Sequence, residues 1–346
     1  MAGMLGGGKA SFLVVCAATL ALQDAPARDT AAPLPPDRLP FALIKAESTV
    51  EMIGAVRVFA SGDAVWISRG SSGTVSRLDP EASTLGATVP IGRGPCGGMT
   101  LGLGSLWVMA CGEPGIVRID PAKGELLSTT PTPVPGDLAS VAFAAGSVWM
   151  VTDDQGTLVR FDPDRRVAVA EVYVAPGSGP LTVEAGSLWA ASPTSHVVTR
   201  IDPFTNLVVE TVKVEKGPAR IVAGEGAVWT LNREDGSVSR IDPKTNKIAA
   251  TIPVGPEAAA GELAVGDGSV WVSAATLLAR IDATANRVAQ VFTEAPGGSI
   301  AAAHGRLWLV PSRGTVWKID PRYVAALREP RPPTGSDAAS APRLRR

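Results

Sequence analysis

Between residues 41 and 327 the chain is a succession of short apolar runs cut by Gly, Pro, Asp and Asn. One stretch shows the order. Residues 220–223 are mostly apolar and end at the turn Gly224-Glu225-Gly226. Residues 227–231 form a second apolar run centred on Trp229, and the polar stretch 232–236 closes on the hairpin dipeptide Asp235-Gly236. Residues 237–241 are a third run. Asp242-Pro243 then opens a turn, Asp by accepting from the backbone and Pro by fixing φ at the next position. Residues 247–254 (KIAATIPV) alternate apolar and polar, as a half-exposed outer strand does. The runs are rich in β-branched residues and too short for helices, so four antiparallel strands are predicted.

This unit recurs. Trp stands at 66, 107, 149, 189, 229, 271 and 308, with spacings of 41, 42, 40, 40, 42 and 37. A second marker follows each Trp: Arg77-Leu78-Asp79-Pro80, Arg118-Ile119-Asp120-Pro121, Arg160-Phe161-Asp162-Pro163, Arg200-Ile201-Asp202-Pro203 and Arg240-Ile241-Asp242-Pro243. Arg280-Ile281-Asp282-Ala283 and Lys318-Ile319-Asp320-Pro321 complete the series. A period near 40 with four strands per copy predicts an all-β, seven-bladed β-propeller of four-stranded antiparallel blades. The seventh copy lacks an outer strand after Pro321. Residues 41–52 (FALIKAESTVEM) precede the first copy and supply one, so an N-terminal strand is expected to close the last blade against residues 315–319.

Gly-Ser-Val-Trp at 146–149 and 268–271, Arg-Ile-Asp-Pro, and the outer-strand starts Asn246-Lys247-Ile248 and Asn286-Arg287-Val288 resemble the YVTN and virginiamycin B lyase-like propellers over about residues 41–325. The resemblance implies the same architecture. It also admits a lyase or lactonase in which His and Glu work with magnesium to open a lactone ring. This chain has two histidines, His196 and His304, on turns expected at opposite faces, and no paired His/Glu constellation. No catalytic residue is therefore carried over, and magnesium enters only under the lyase alternative; no other cofactor is evident.

The segments outside the repeats set the compartment. Lys9 followed by the apolar run 11–22 (SFLVVCAATLAL) and the small, polar residues 23–27 read as a signal peptide over 1–27. Residues 28–40 read as a Pro-rich linker and 328–346 as a disordered tail around the domain 41–327. A periplasmic or secreted monomer is expected, without a membrane segment after cleavage. Lys+Arg 32 against Asp+Glu 33 gives a net charge of −1, which removes the global case for nucleic acid. In an oxidising compartment Cys96 and Cys111, at neighbouring loops of the second copy, are expected to form a disulfide.

The candidate chemistry is sparse. The seven Trp read as packing between blades and the motif Asp residues as turn formers, not calcium ligands, since calcium needs converging oxygens. There is no phosphate loop or nucleophile elbow. Counting nine residues back from each repeat Trp gives one ring around the channel mouth: Arg57, Gly98, Ser140, Pro180, Arg220, Glu262 and Ser299. The loops of the same face add Arg69, Arg93, Asp153, Asp154, His196, Asn232, Arg233 and Arg313. Arg220 and Glu262 are expected to pair, leaving Arg57 without a carboxylate in its ring. The set reads either as a solvated rim or as a site for a small polar or anionic ligand or a protein partner. A binding or interaction module is the leading expectation.

Overall fold

The structure, a computed structural model, describes residues 35–61, 63–92, 95–113, 115–133, 140–311 and 314–328, without the side chains of 95–97. The chain divides into Met1–Pro35 and Pro36–Arg346, and the strands below belong to the second unit. The expected signal peptide and residues 329–346 of the expected tail lie outside the described residues. No described helix is long and apolar enough to cross a membrane.

Seven small antiparallel sheets form a seven-bladed propeller. Blade 5 has the strand order expected from its sequence: Pro218–Gly224, Ala227–Asn232, Ser237–Asp242 and Lys247–Pro253. Its second strand is buried at every position, whereas its outer strand is exposed except at alternate positions near its end. The inner strands Ala55–Ser61, Pro95–Gly102, Val141–Ala144, Leu181–Glu184, Pro218–Gly224, Glu262–Gly266 and Ser299–Ala303 surround the channel. All seven repeat Trp are buried, none more than 2% exposed. Each fills the space between sheets: Trp149 packs with Leu181 and Leu188 of the next blade, Trp229 with Leu263 and Val272.

The third-strand Arg has a role the repeat pattern did not disclose. Arg118, Arg160, Arg200 and Arg240 lie over the Trp of their own blade at 5.1, 5.7, 5.3 and 5.2 Å. Arg160 Nη1 then reaches Asn206 Oδ1 of the next blade at 3.1 Å, Arg200 reaches Asn246 at 2.8 Å, and Arg240 reaches Asn286 at 2.8 Å. Each guanidinium therefore rivets one blade to the next. Blade 3 has Arg166 where those blades have Asn, and there Arg118 meets Asp164 instead, at 3.5 Å. The motif Asp residues do form turns. Asp79 Oδ1, for example, accepts the N–H groups of Glu81 and Ala82, both at 2.8 Å. Such backbone donors hold the carboxyls of Asp79, Asp120, Asp162, Asp202 and Asp242 below their ordinary range.

The ring closes with the N-terminal strand, as expected, but over a shorter segment. Only Ser48–Glu51 pairs, antiparallel to Thr315–Ile319. Phe41–Leu43 is a 3-10 turn, because Phe41 and Ile44 turn into a cluster with Trp271, Phe292 and Val324 instead of alternating along a strand. Trp317, off the repeat, lies in this closure and stacks on Phe41 at 5.4 Å. Lys318 Nζ donates to Glu81 O at 3.2 Å, repeating the rivet across the seam.

Part of the expected linker is ordered. Asp37–Pro40 adds a fifth, parallel strand to blade 6, from Asp37 opposite Gln290 to Pro40 opposite Thr293. Pro40 is tolerated because an outermost strand has one edge without ladder bonds, and Leu39 is buried beneath it. After the seventh copy, Asp320 caps the helix Pro321–Ala326 by accepting the N–H of Arg322 at 2.8 Å. The Asp-Pro chemistry that starts an outer strand elsewhere starts a helix here.

Candidate functional site: the channel mouth

The ring positions lie just before or within the first four residues of the inner strands, at one end of the channel, where the Arg57, Arg220 and Glu262 side chains meet. Glu262 dominates. Its carboxylate accepts from Arg220 twice, Nε to Oε2 and Nη2 to Oε1, both at 2.7 Å. This is the planar, two-point geometry that favours Arg. The expected Arg220–Glu262 pair is therefore present. The expectation that Arg57 lacks a carboxylate is corrected: Arg57 Nη1 lies 3.6 Å from Glu262 Oε1. The contact spans blade 7, whose ring residue Ser299 is short and turned away. Ser299 Oγ accepts the N–H of Val58 at 3.1 Å, which ties blade 7 to blade 1. The three charged side chains are each only 20–26% exposed.

The other half of the ring is small. It consists of Gly98, Ser140 and Pro180. A Cβ on Gly98 would lie 3.3 Å from Ser140 Oγ, so these two neighbours already touch. The mouth thus has a charged sector over blades 5, 6 and 1 and a small-residue sector over blades 2 to 4.

The loop candidates separate. Asn232 is fully buried and donates to Ser237 Oγ and Ser239 Oγ at 2.9 and 2.8 Å, so it is a core residue and not part of the mouth. His196 has φ 57° in its turn, and its Nδ1 accepts the N–H of Gly217 at 3.1 Å. The Thr157 hydroxyl, and then the N–H groups of Thr157 and Gln155 that Asp153 accepts, lower the Asp153 carboxyl pKa; it shapes its own loop. Asp154 Oδ1 accepts from Gln155 Nε2 at 2.8 Å. Arg69 donates to Thr74 Oγ1 at 3.0 Å within its hairpin. The Arg233 side chain is exposed on the rim. Arg93 and Arg313 lie outside the described residues. On the opposite face, His304 holds φ 57° and its buried Nε2 has no partner among the described residues.

One residue that sequence reading passed over is Glu184, the last of blade 4's inner strand. The equivalent residues are Ser61, Gly102, Ala144, Gly224, Gly266 and Ala303. Those positions are small for a reason: a Cβ on Gly224 would sit 2.8 Å from Val265. At this crowded place burial pushes the Glu184 carboxyl upward. The signal was available as the one carboxylate in a column of Gly, Ala and Ser.

Magnesium, which the lyase resemblance implies, does not fit the mouth. Glu262 is the only carboxylate of the ring, and both its oxygens accept from Arg220 with Arg57 alongside. A hard dication needs several uncommitted oxygens. Among the described residues no group of three or more His, Cys, Asp and Glu could hold a metal ion.

No protein-family model and no curated protein sequence matches the chain. Solved structures do. A virginiamycin B lyase from Staphylococcus aureus aligns with a TM-score of 0.66 at 16% identity, covering 79% of this chain and 98% of that one. A streptogramin B lyase aligns with a TM-score of 0.65 at 18% identity, covering 77% and 93%. The hydrazine synthase of Kuenenia stuttgartiensis aligns with a TM-score of 0.64 at 12% identity, covering 79% and 97%. The fold is therefore that of the virginiamycin B lyase-like seven-bladed propellers. Two enzymes of different name share it at similar scores, so the likeness reaches the scaffold and stops there.

Proposed function

We propose that this protein is an exported binding module that receives a small polar or anionic ligand at the channel mouth. The observation that carries this reading is the state of Glu262. The one ring carboxylate is neutralised by Arg220 and Arg57, which leaves it a poor general base and a poor metal ligand. Guanidinium groups beside a small-residue opening suit recognition of an oxyanion better than bond cleavage.

A Cys96–Cys111 disulfide is part of the same reading. Cys96 directly follows Pro95, which pairs with Ala110, and Cys111, the residue after Ala110, has a partner. Closing a loop of this length stabilises by roughly 3 kcal/mol. The lyase alternative draws support from the names of two fold neighbours.

One experiment tests these elements together. The full chain is expressed with its own N-terminus, and the product from outside the cytoplasm is weighed intact, native and denatured, after alkylation without reductant. The expected result is a shortened N-terminus, no alkylated cysteine, and a retained small molecule that Arg57→Ala releases. Labelling of both cysteines would reject the disulfide. Retention unchanged by Arg57→Ala would move the ligand off the mouth.

A further inference from the structure

Below the mouth the inner strands line an open cavity of about 410 Å³. Each inner strand is the last in its sheet, so its free edge turns backbone N–H and C=O groups toward the axis. None of the described lining residues is ionisable, and Thr100 and Thr182 are the polar side chains among them. Phe59 and Phe143 supply aromatic surface. Phe143 is held firmly, because it packs against Gly102 where even a Cβ would come within 2.1 Å of its ring. The described wall is therefore uncharged, with the charged sector of the mouth at one end and Glu184 at the other.

We propose that the channel binds a small amphiphilic anion: an aromatic or aliphatic body in the cavity, with one carboxylate or sulfonate at Arg57. This rests on the reading of the mouth as a binding site and names the ligand class. Three observations support it. The volume lies in the range of about 300–1,000 Å³ typical of small-molecule pockets. Arg57 and Arg220 both face the single ring carboxylate, Glu262, so the charged sector is net positive and favours an oxyanion over the cavity. The small sector Gly98, Ser140 and Pro180 provides the entrance beside the charged sector.

The test uses three probes with one body, followed by calorimetry on the full chain. These are naphthalene-1-sulfonate, uncharged 1-naphthol and the cation 1-naphthylmethylammonium. The sulfonate is expected to bind roughly tenfold or more tightly than the naphthol, the worth of one charge-assisted hydrogen bond. The cation is expected to bind weakest. Arg57→Ala should bring the sulfonate down to the naphthol's affinity. Thr182→Phe and, independently, Thr100→Phe should abolish binding of all three, with thermal unfolding used to confirm that each variant is folded. Equal affinities that both plugs abolish would overturn the anionic class and leave the mouth-and-channel site standing. Binding that survives either folded plug, or no binding by any probe, would overturn the proposal, whereas failure of the site reading itself would show as a retained ligand mapped elsewhere.

Discussion

A carboxylate in a column of small residues is a cost with a sign. Glu184 is half-buried at the end of its inner strand, and that burial raises its pKa. A raised carboxyl is favoured protonated in the folded state, so stability falls as pH rises from the ordinary value of 4.5 through the folded value. Glu184→Gln is accordingly expected to raise Tm at pH 7 and to have no effect well below pH 4.5, as read by calorimetry across pH. A drop in Tm at pH 7 would show that the charge has a favourable partner. The motif Asp residues behave oppositely. Their N–H donors lower the pKa, so their contribution is present above 3.8 and is lost as pH falls below it. At this scale the sequence was uneven as a guide. Asp-Pro announced its chemistry because both residues act on their own backbone. Glu262 did not announce its second partner. That contact depends on a neighbour, Ser299, being short enough to let a carboxylate reach past it.

Elements are joined by devices that repeat with the blades. Trp fills the space between sheets, and in blades 2 to 5 the motif Arg crosses from it to the next blade, whereas Arg77 meets Asp63 and Arg280 meets Gln290 and Ser269 in their own blades. Both were visible as constant positions, yet only the Trp had an obvious reading from composition. The Arg needs Asn206, Asn246 or Asn286 to show what it does, and those lie 46 residues away. All three Asn hold positive φ, 52–59°, so a test must separate the hydrogen bond from backbone strain. Asn246→Gly keeps the conformation and removes the bond to Arg200. It should lower stability by about 1 kcal/mol in denaturant titration. Arg166→Gly, at the blade where the rivet takes another route, relieves φ 56° and should not lower it. Equal losses in both variants would assign the effect to the turn. The terminal segments were the least legible. Pro-rich residues before Phe41 signal a linker by composition, but burial of Leu39 and the open edge of blade 6 recruit four of them as a strand.

At the scale of the whole molecule, seven near-equal blades carry one unequal ring. Repetition made the fold readable, because each marker is confirmed by six others. The same repetition gives the proposed site no marker of its own, since its residues break the repeat: Arg57, Arg220 and Glu262 against Gly98, Ser140, Pro180 and Ser299. Counting back from the Trp names one position per blade, but the division into a charged and a small sector follows from geometry across blades. The fold neighbours named as lyases make the choice between binding and metal-dependent cleavage the central issue. The most direct measurement is to incubate virginiamycin B with the wild-type protein and with Glu262→Gln, each with millimolar magnesium or with EDTA, and follow the intact cyclic compound by chromatography. The account predicts that the compound persists in all four mixtures. Magnesium-dependent loss of the intact compound by the wild type, abolished in Glu262→Gln, would contradict it.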